Sequence, residues 1–244
     1  MKPSTDIGSS EWKTVIMDGG HQLGIEVSED QAGLFAVHAR EMVLWNKSTN
    51  LTSVTDPFEM AVKHYLDSMA AVRYIGHAAS LLDAGSGGGF PGIPLKIMLP
   101  SLKVTLLDAR RKRVSFLKHV IRSLGIAGID VVNDRLEQMK DLLPPGDGFD
   151  VIVSRAFSDL EPFATHALPL LNPGGCIVAY KGKRGKVLEN EVAELEKMAV
   201  ENGSQEQHQE GRGLHIDIQS VVLSGLELER TLVIITRSSN RPIV

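Results

Sequence analysis

The 244-residue sequence predicts an α/β protein built on a doubly wound, mostly parallel sheet, with a helical extension before it and an antiparallel hairpin at its end. Three observations carry this reading. From Ser80 onward, short apolar runs alternate with amphipathic segments, the pattern of successive βαβ units. The first run, Ser80 to Ala84, ends in a turn containing Gly85, Gly87, Gly88 and Gly89. The last two runs, about 214–223 and 228–236, lie too close together for a crossover helix and pair as a hairpin.

Strands are expected near 80–84, 102–108, 129–133, 149–154 and 174–180, which with the hairpin makes seven. Helices are expected near 91–99, 111–124, 135–142, 159–171 and 185–201. Leu171 to Gly175 reads as a helix stop followed by a turn. Upstream, Ser28 caps a helical pattern to about Trp45, with Leu34, Val37, His38, Met42 and Trp45 on one face. A polar loop, 46–55, follows, and Asp56-Pro57 opens a second helix. The expected organisation is a weakly structured N-terminus (1–27), a helical extension (28–76) and a sheet domain (77–244), with 202–213 a mobile polar loop.

Composition excludes several classes. Hydrophobic residues at 43% and charged residues at 23% are ordinary globular values, so a packed core is expected. No apolar run approaches the ~18 residues of a membrane span, and the first twenty residues lack a signal-peptide core. One cysteine, Cys176, excludes an internal disulfide and a cysteine-only metal site, and the histidines are scattered, so no metal is expected. These point to a soluble cytoplasmic protein, and the lack of a long exposed apolar stripe points to a monomer. The net charge of −4 gives no global argument for nucleic acid, but two local clusters do. Arg110, Arg111, Lys112 and Arg113, continued by Lys118 and Arg122, form one; Lys181, Lys183, Arg184 and Lys186 form the other.

The glycine turn indicates a nucleotide-like cofactor. Glycine permits positive φ and lets a ligand approach the backbone, and the following helix presents free N–H groups. The second strand ends at Asp108, roughly 20 residues on, where a carboxylate can accept hydrogen bonds from ribose hydroxyls. NAD and S-adenosylmethionine both carry that ribose. The spacing here is G-x-G-x-G rather than G-x-G-x-x-G, which favours S-adenosylmethionine over a pyrophosphate.

With these residues in place, the chain resembles the bacterial small-subunit (16S) ribosomal RNA guanine-N7 methyltransferases of the RsmG or GidB type. The resemblance rests on the turn Asp83-Ala84-Gly85-Ser86-Gly87-Gly88-Gly89-Phe90-Pro91-Gly92-Ile93-Pro94-Leu95 combined with Ser154-Arg155-Ala156-Phe157. It is extended by Trp45-Asn46-Lys47, Asn50 to Val54, His64 with Leu66-Asp67-Ser68, Leu107-Asp108, Lys112-Arg113, Arg135-Leu136-Glu137, Lys181-Gly182 and Glu229-Arg230, spanning about residues 30 to 237. It implies a class I, Rossmann-like methyltransferase fold using S-adenosylmethionine, acting on small-subunit ribosomal RNA or a 30S particle. By position, Gly85, Gly87, Phe90, Asp108, Leu136, Glu137 and Arg155 would bind the cofactor. Arg155 and Arg135 would act at the reacting centre, and Lys181 and Arg230 would face RNA.

The residues agree with N7 chemistry by omission. Guanine N7 carries a free lone pair, so no general base is required and positioning supplies the catalysis. The Asn/Asp-Pro-Pro-aromatic motif used on exocyclic amines is replaced here by Ser154-Arg155-Ala156-Phe157, and the lone cysteine sits at the start of an apolar strand. Phe157 or Phe90 can stack on a flipped base or on adenine, or sit in the core. The alternative for Arg155 is an ion pair with Asp83, Asp150 or Glu161; His64, Asp67 and Ser68 read as structural. Three other functions remain as alternatives: an NAD-dependent oxidoreductase, a non-catalytic RNA-binding or ribosome-assembly protein on the same scaffold, and a small-molecule methyltransferase.

Overall fold

A computed structural model of the chain describes residues 6–157, 159–204 and 213–237. The elements run in order α1 (Ser10–Gln22), α2 (Glu29–Thr49), α3 (Pro57–Met60), a π-helical turn (Ala61–Leu66), α4 (Asp67–Met69), α5 (Val72–Ile75), β1 (Ser80–Ala84) and α6 (Gly92–Met98). There follow β2 (Lys103–Leu107), α7 (Arg111–Leu124), β3 (Ile129–Val132), α8 (Met139–Leu142), β4 (Phe149–Ser154), α9 (Leu160–Ala167), β5 (Leu171–Lys181), α10 (Lys186–Ser204), β6 (Leu214–Leu223) and β7 (Leu228–Arg237).

The seven strands form one sheet in the order β3-β2-β1-β4-β5-β7-β6. β1 to β5 are parallel and β7 is antiparallel to both neighbours, as the alternating pattern and the closing hairpin require. The strand order reverses between β1 and β4, so the carboxyl ends of these two parallel strands meet at the switch point where α/β folds bind ligands. Strand side chains alternate between two cores. Leu81, Val153, Val178, Tyr180, Leu232 and Ile234 pack under the N-terminal helices with α6 and α7. Leu82, Ile152, Ile177, Ala179, Val233 and Ile235 pack under α9 and α10.

The N-terminus departs most from expectation. Ser10–Gln22 is a helix, capped by the Ser9 hydroxyl, which accepts the Trp12 amide. Trp12 and Ile16 are fully buried, and Trp12 Nε1 donates to the Pro57 carbonyl at 2.9 Å. Gly19 and Gly20 lie inside α1, where Leu66 and Val27 occupy the space a Cβ would need. Glycine there lets helices touch.

Four further differences are local. α2 continues past Trp45 to Thr49 because Asn46 closes the corner, its side-chain oxygen accepting the Leu51 and Thr52 amides. The second helix is interrupted by the π-helical turn 61–66. The helix expected at 135–142 is a short 3-10 turn, Leu136–Gln138, followed by α8. The turn expected at 171–175 is the first part of β5: Gly174 takes φ +85°, and Gly175 lies so close to β4 that a Cβ would sit 2.8 Å from the Asp150 carbonyl. The loop expected at 202–213 falls partly outside the described residues, and α10 runs on to Ser204.

A candidate cofactor cleft and its arginine pair

The glycine turn sits at the carboxyl end of β1. Gly85 and Ser86 donate their amides to the Leu107 carbonyl, so the turn is sewn to β2. Gly85, Gly87 and Gly89 all take positive φ, +78°, +57° and +89°. Gly85 and Gly87 are half-exposed while Ser86, Gly88 and Gly89 are buried, so the two open points of the turn are the two nominated glycines. A Cβ on Gly85 would stand 2.6 Å from that of Ala156, which faces it from the end of β4.

Asp108 closes β2 and organises this turn. It is only 4% exposed. Its Oδ2 accepts the Gly87 amide at 3.0 Å and its Oδ1 the Arg110 amide at 2.8 Å, with the Arg113 guanidinium 3.4 Å from Oδ2. Asn133, beyond β3, donates to the Asp108 carbonyl at 2.9 Å. Charge and hydrogen bonds compensate the burial. Leu136 is buried beside this edge, and Glu137 and Arg135 are exposed on it. The exposed cations Arg110, Arg111 and Lys112 begin α7 at the same edge, so the first basic cluster flanks the cleft mouth. These groups fit S-adenosylmethionine: an open glycine cradle, a carboxylate beneath it, and a buried leucine beside an exposed acid.

Below the turn, Asp83 is fully buried. Its Oδ2 accepts the Gly92 amide at 2.8 Å, and its Oδ1 has no partner. Burial pushes its carboxyl up to about 7, the Gly92 hydrogen bond offsetting only part of the effect.

The Phe90 ring takes the core placement, one of the two the sequence left open. Phe90 belongs to the turn, but its ring is 8% exposed and packs against His64 (4.6 Å between centroids), His38 (4.9 Å) and Tyr65 (5.4 Å). Phe157 likewise stacks on Phe163 at 4.8 Å. His64 is structural, as expected: Nε2 pairs with the Thr52 hydroxyl at 2.8 Å, and burial, aided by the Arg155 charge, drives its pKa down to about 3. Burial pushes the Cys176 thiol up to about 11, which suits a packing role. A cavity of about 430 Å³ lined by Tyr74, Ile75, Cys176, His215 and Thr236 opens at the amino ends of β4 and β5, at the opposite edge from the glycine turn, and takes no part in this site.

Arg155, just past β4, pairs with none of Asp83, Asp150 or Glu161. It pairs with Asp67, Nη2 lying 3.1 Å from Oδ2. Nη2 also donates to the Lys63 carbonyl at 3.0 Å, and Nη1 lies 3.3 Å from the Ser68 hydroxyl and 3.5 Å from the His64 carbonyl. Those carbonyls belong to the π-helical turn, whose irregular ladder Arg155 helps to satisfy. Arg230, near the start of β7, donates its Nε to Asp67 Oδ1 at 3.1 Å. β7 runs antiparallel to β5 with Lys181 opposite Thr231, so Arg155, Lys181 and Arg230 share one edge of the sheet. Asp67, read from sequence as structural, is thus the shared partner of Arg155 and Arg230. Its sequence signal was a carboxylate on an otherwise buried helical face, Leu66-Asp67-Ser68-Met69.

The second basic cluster is largely neutralised. Lys181 bonds Glu191 at 2.6 Å, Lys183 bonds Glu229 at 3.0 Å, and Arg184 lies 3.8 Å from Glu189. The acidic partners Glu189, Glu191 and Glu229 all lie outside the cluster itself, so its run of cations did not show the pairing.

Comparison with known proteins accords with this geometry. Solved structures share the fold at low identity: the O-methyltransferase from Bacillus cereus in complex with SAH (TM-score 0.57, 15% identity, 93% of this chain and 99% of that one), and TomG from Streptomyces achromogenes in complex with SAM (0.56, 17%, 97% and 100%). The architecture is that of Rossmann-like S-adenosylmethionine methyltransferases. Among sequence relatives, proteins named Ribosomal RNA small subunit methyltransferase G are 42% identical in Geobacter metallireducens (78% of this chain, 84% of that protein) and 35% identical in Desulfitobacterium hafniense (91% and 87%). Neither an oxidoreductase nor a non-catalytic assembly protein is favoured by these relatives. Residues 31–216 match the family model described as rRNA small subunit methyltransferase G, GidB, and the chain belongs to that family.

Proposed function

We propose that the protein transfers a methyl group from S-adenosylmethionine to N7 of a guanine in small-subunit (16S) ribosomal RNA, in the cytoplasm, acting as a monomer on the RNA or on a 30S particle. The observation that carries this reading is a single edge of the sheet that holds both the glycine turn and a pair of arginines. The glycine turn tied to Asp108 lies on one side of β1. A half-buried arginine at the end of β4 lies on the other, next to a second arginine on β7.

When bound, the cofactor supplies an electrophilic methyl. Gly85 and Gly87 admit it to the backbone, Asp108 receives its ribose, and Leu136 and Glu137 flank its adenine. Guanine N7 presents its lone pair without losing a proton, so this chemistry needs no base; burial holds His64 and His38 well below the ordinary imidazole value. What remains is alignment for in-line displacement. Arg155 has its terminal nitrogens committed to protein, and its Nε has no partner among the described residues. In this reading that N–H donates to the guanine O6 or to the cofactor carboxylate. Arg135 and the α7 cations approach the RNA from the cleft mouth.

The test is transfer of labelled methyl to small-subunit ribosomal RNA, free and as particles from cells lacking the protein, with the product digested to nucleosides. 7-Methylguanosine is expected. A different methylated nucleoside, or no transfer despite cofactor binding, would overturn the assignment. Arg155→Ala should lower turnover about 100-fold, the scale of losing one well-placed donor, while the protein stays folded by circular dichroism. Parental turnover would place the reacting centre elsewhere.

A further inference from the structure

We infer that Asp67 is a positioning residue that fixes Arg230, together with Arg155, in the orientation that receives a phosphate of the RNA substrate. The inference rests on the function proposed above. Asp67 is 2% exposed and lies on the helical layer, whereas the arginines lie on β7 and just past β4. One carboxylate faces two guanidinium groups, so the node carries one uncompensated positive charge. The arginines, 24% and 21% exposed, bring that charge to the surface.

The division of donors is unequal. Arg155 spends both terminal nitrogens on Asp67, Ser68 and the carbonyls of Lys63 and His64. Arg230 spends only Nε, and its two terminal nitrogens have no partner among the described residues. A guanidinium held through Nε with both terminal nitrogens free is a fork prepared for a bidentate oxyanion. The node is itself anchored, since the Tyr180 hydroxyl on β5 donates to the Ser68 carbonyl at 2.7 Å.

Positioning and simple charge make opposite predictions. Asp67→Asn removes a negative charge beside an RNA-facing surface. If Asp67 acts only through charge, RNA binding tightens. If it positions Arg230, binding weakens although the protein has become more positive. Arg230→Lys keeps the charge and loses the fork, so it tests the same point should D67N fail to fold.

The experiment measures binding of the full chain to small-subunit ribosomal RNA across a salt series, with calorimetric cofactor affinity as the control for an intact fold. The expected result is about tenfold weaker RNA binding for D67N and for R230K, cofactor affinity within twofold of the parent, and a double variant no worse than the weaker single. Binding by D67N equal to or tighter than the parent's would overturn the inference, as would losses that multiply in the double variant. Failure of the parent to bind this RNA at all would instead remove the proposed substrate. Hydrogen exchange at the Arg230 Nε–H, assigned by its loss in R230K, then still decides the geometry: slow in the parent and fast in D67N supports it, and equal rates refute it.

Discussion

The glycine turn and the Asp67 node occupy the same edge of the same sheet and are built in opposite ways. The turn is local: Asp108 reaches Gly87 across 21 positions, and its residues lie in two adjacent β–α connections. The node is remote: Arg230 reaches Asp67 across 163 positions, and Arg155 reaches the Lys63 carbonyl across 92. A cofactor shared by a whole fold class can be held by a portable motif. A macromolecular substrate needs groups from several layers brought to one place, and only the tertiary fold does that.

The comparison breaks first at the turn. Gly85→Val places a branched side chain at φ +78° and drives it into Ala156. Strain of this kind costs about 1–3 kcal/mol, but the larger effect is on the ligand, because the same atoms fill the cradle. Cofactor binding and methyl transfer should fall by more than about 1,000-fold, the ~4 kcal/mol that strain and blockage together imply. Calorimetry showing parental affinity would move the cofactor elsewhere.

The helical layer breaks next. Trp12→Ala removes a fully buried indole and its hydrogen bond to Pro57. Substitutions of this type cost about 3–5 kcal/mol, so denaturant unfolding should show a loss on that scale. Trp12 shares a core with Tyr65 and Leu66, beside Asp67, so RNA binding should weaken more than cofactor binding. A loss under about 1 kcal/mol would mean that α1 is not part of this core.

How much of each region was legible follows from the same contrast. Gly85, Gly87 and Asp108 were readable because a steric requirement and a chain direction dictate residue type at fixed spacing. The strand order followed from alternation, since Leu81 and Leu82 serve opposite cores. α1 was obscured because Gly19 and Gly20, which normally signal a break, are there to admit Leu66 and Val27. Phe90 was ambiguous because the turn places its backbone at the site while the helical layer claims its ring. Asp67 was hidden because its partners lie in segments that no periodicity connects. Lys181 was ambiguous because a cation after a strand looks the same whether or not a later helix supplies Glu191.

A third test separates the turn from its foundation. Asp83 has its carboxyl raised to about 7 by burial, so the folded state holds a proton that the unfolded chain releases near pH 4. Its favourable contribution is therefore complete below about pH 4 and declines as pH rises toward 7, above which it is lost. Asp83→Asn removes the titration and can keep an acceptor for the Gly92 amide. Its stability relative to the parent should rise by roughly 1–3 kcal/mol between pH 4 and pH 8 and then level off. Parallel pH profiles for the two proteins would show that Asp83 stays ionised.

The smallest expected effect sharpens the comparison most. Lys181 and Arg230 share the edge proposed to meet RNA, but Lys181 is 11% exposed and bonded to Glu191, whereas the terminal nitrogens of Arg230 have no partner among the described residues. Removing a cation that contacts phosphate lowers the slope of log affinity against log salt by about 1. Arg230→Ala should do so. Lys181→Ala should leave the slope unchanged within about 0.3, because its ammonium is bonded to Glu191 rather than presented to a phosphate. If Lys181→Ala lowers the slope as Arg230→Ala does, the Glu191 pair opens on RNA binding, and the start of α10 joins the recognition surface.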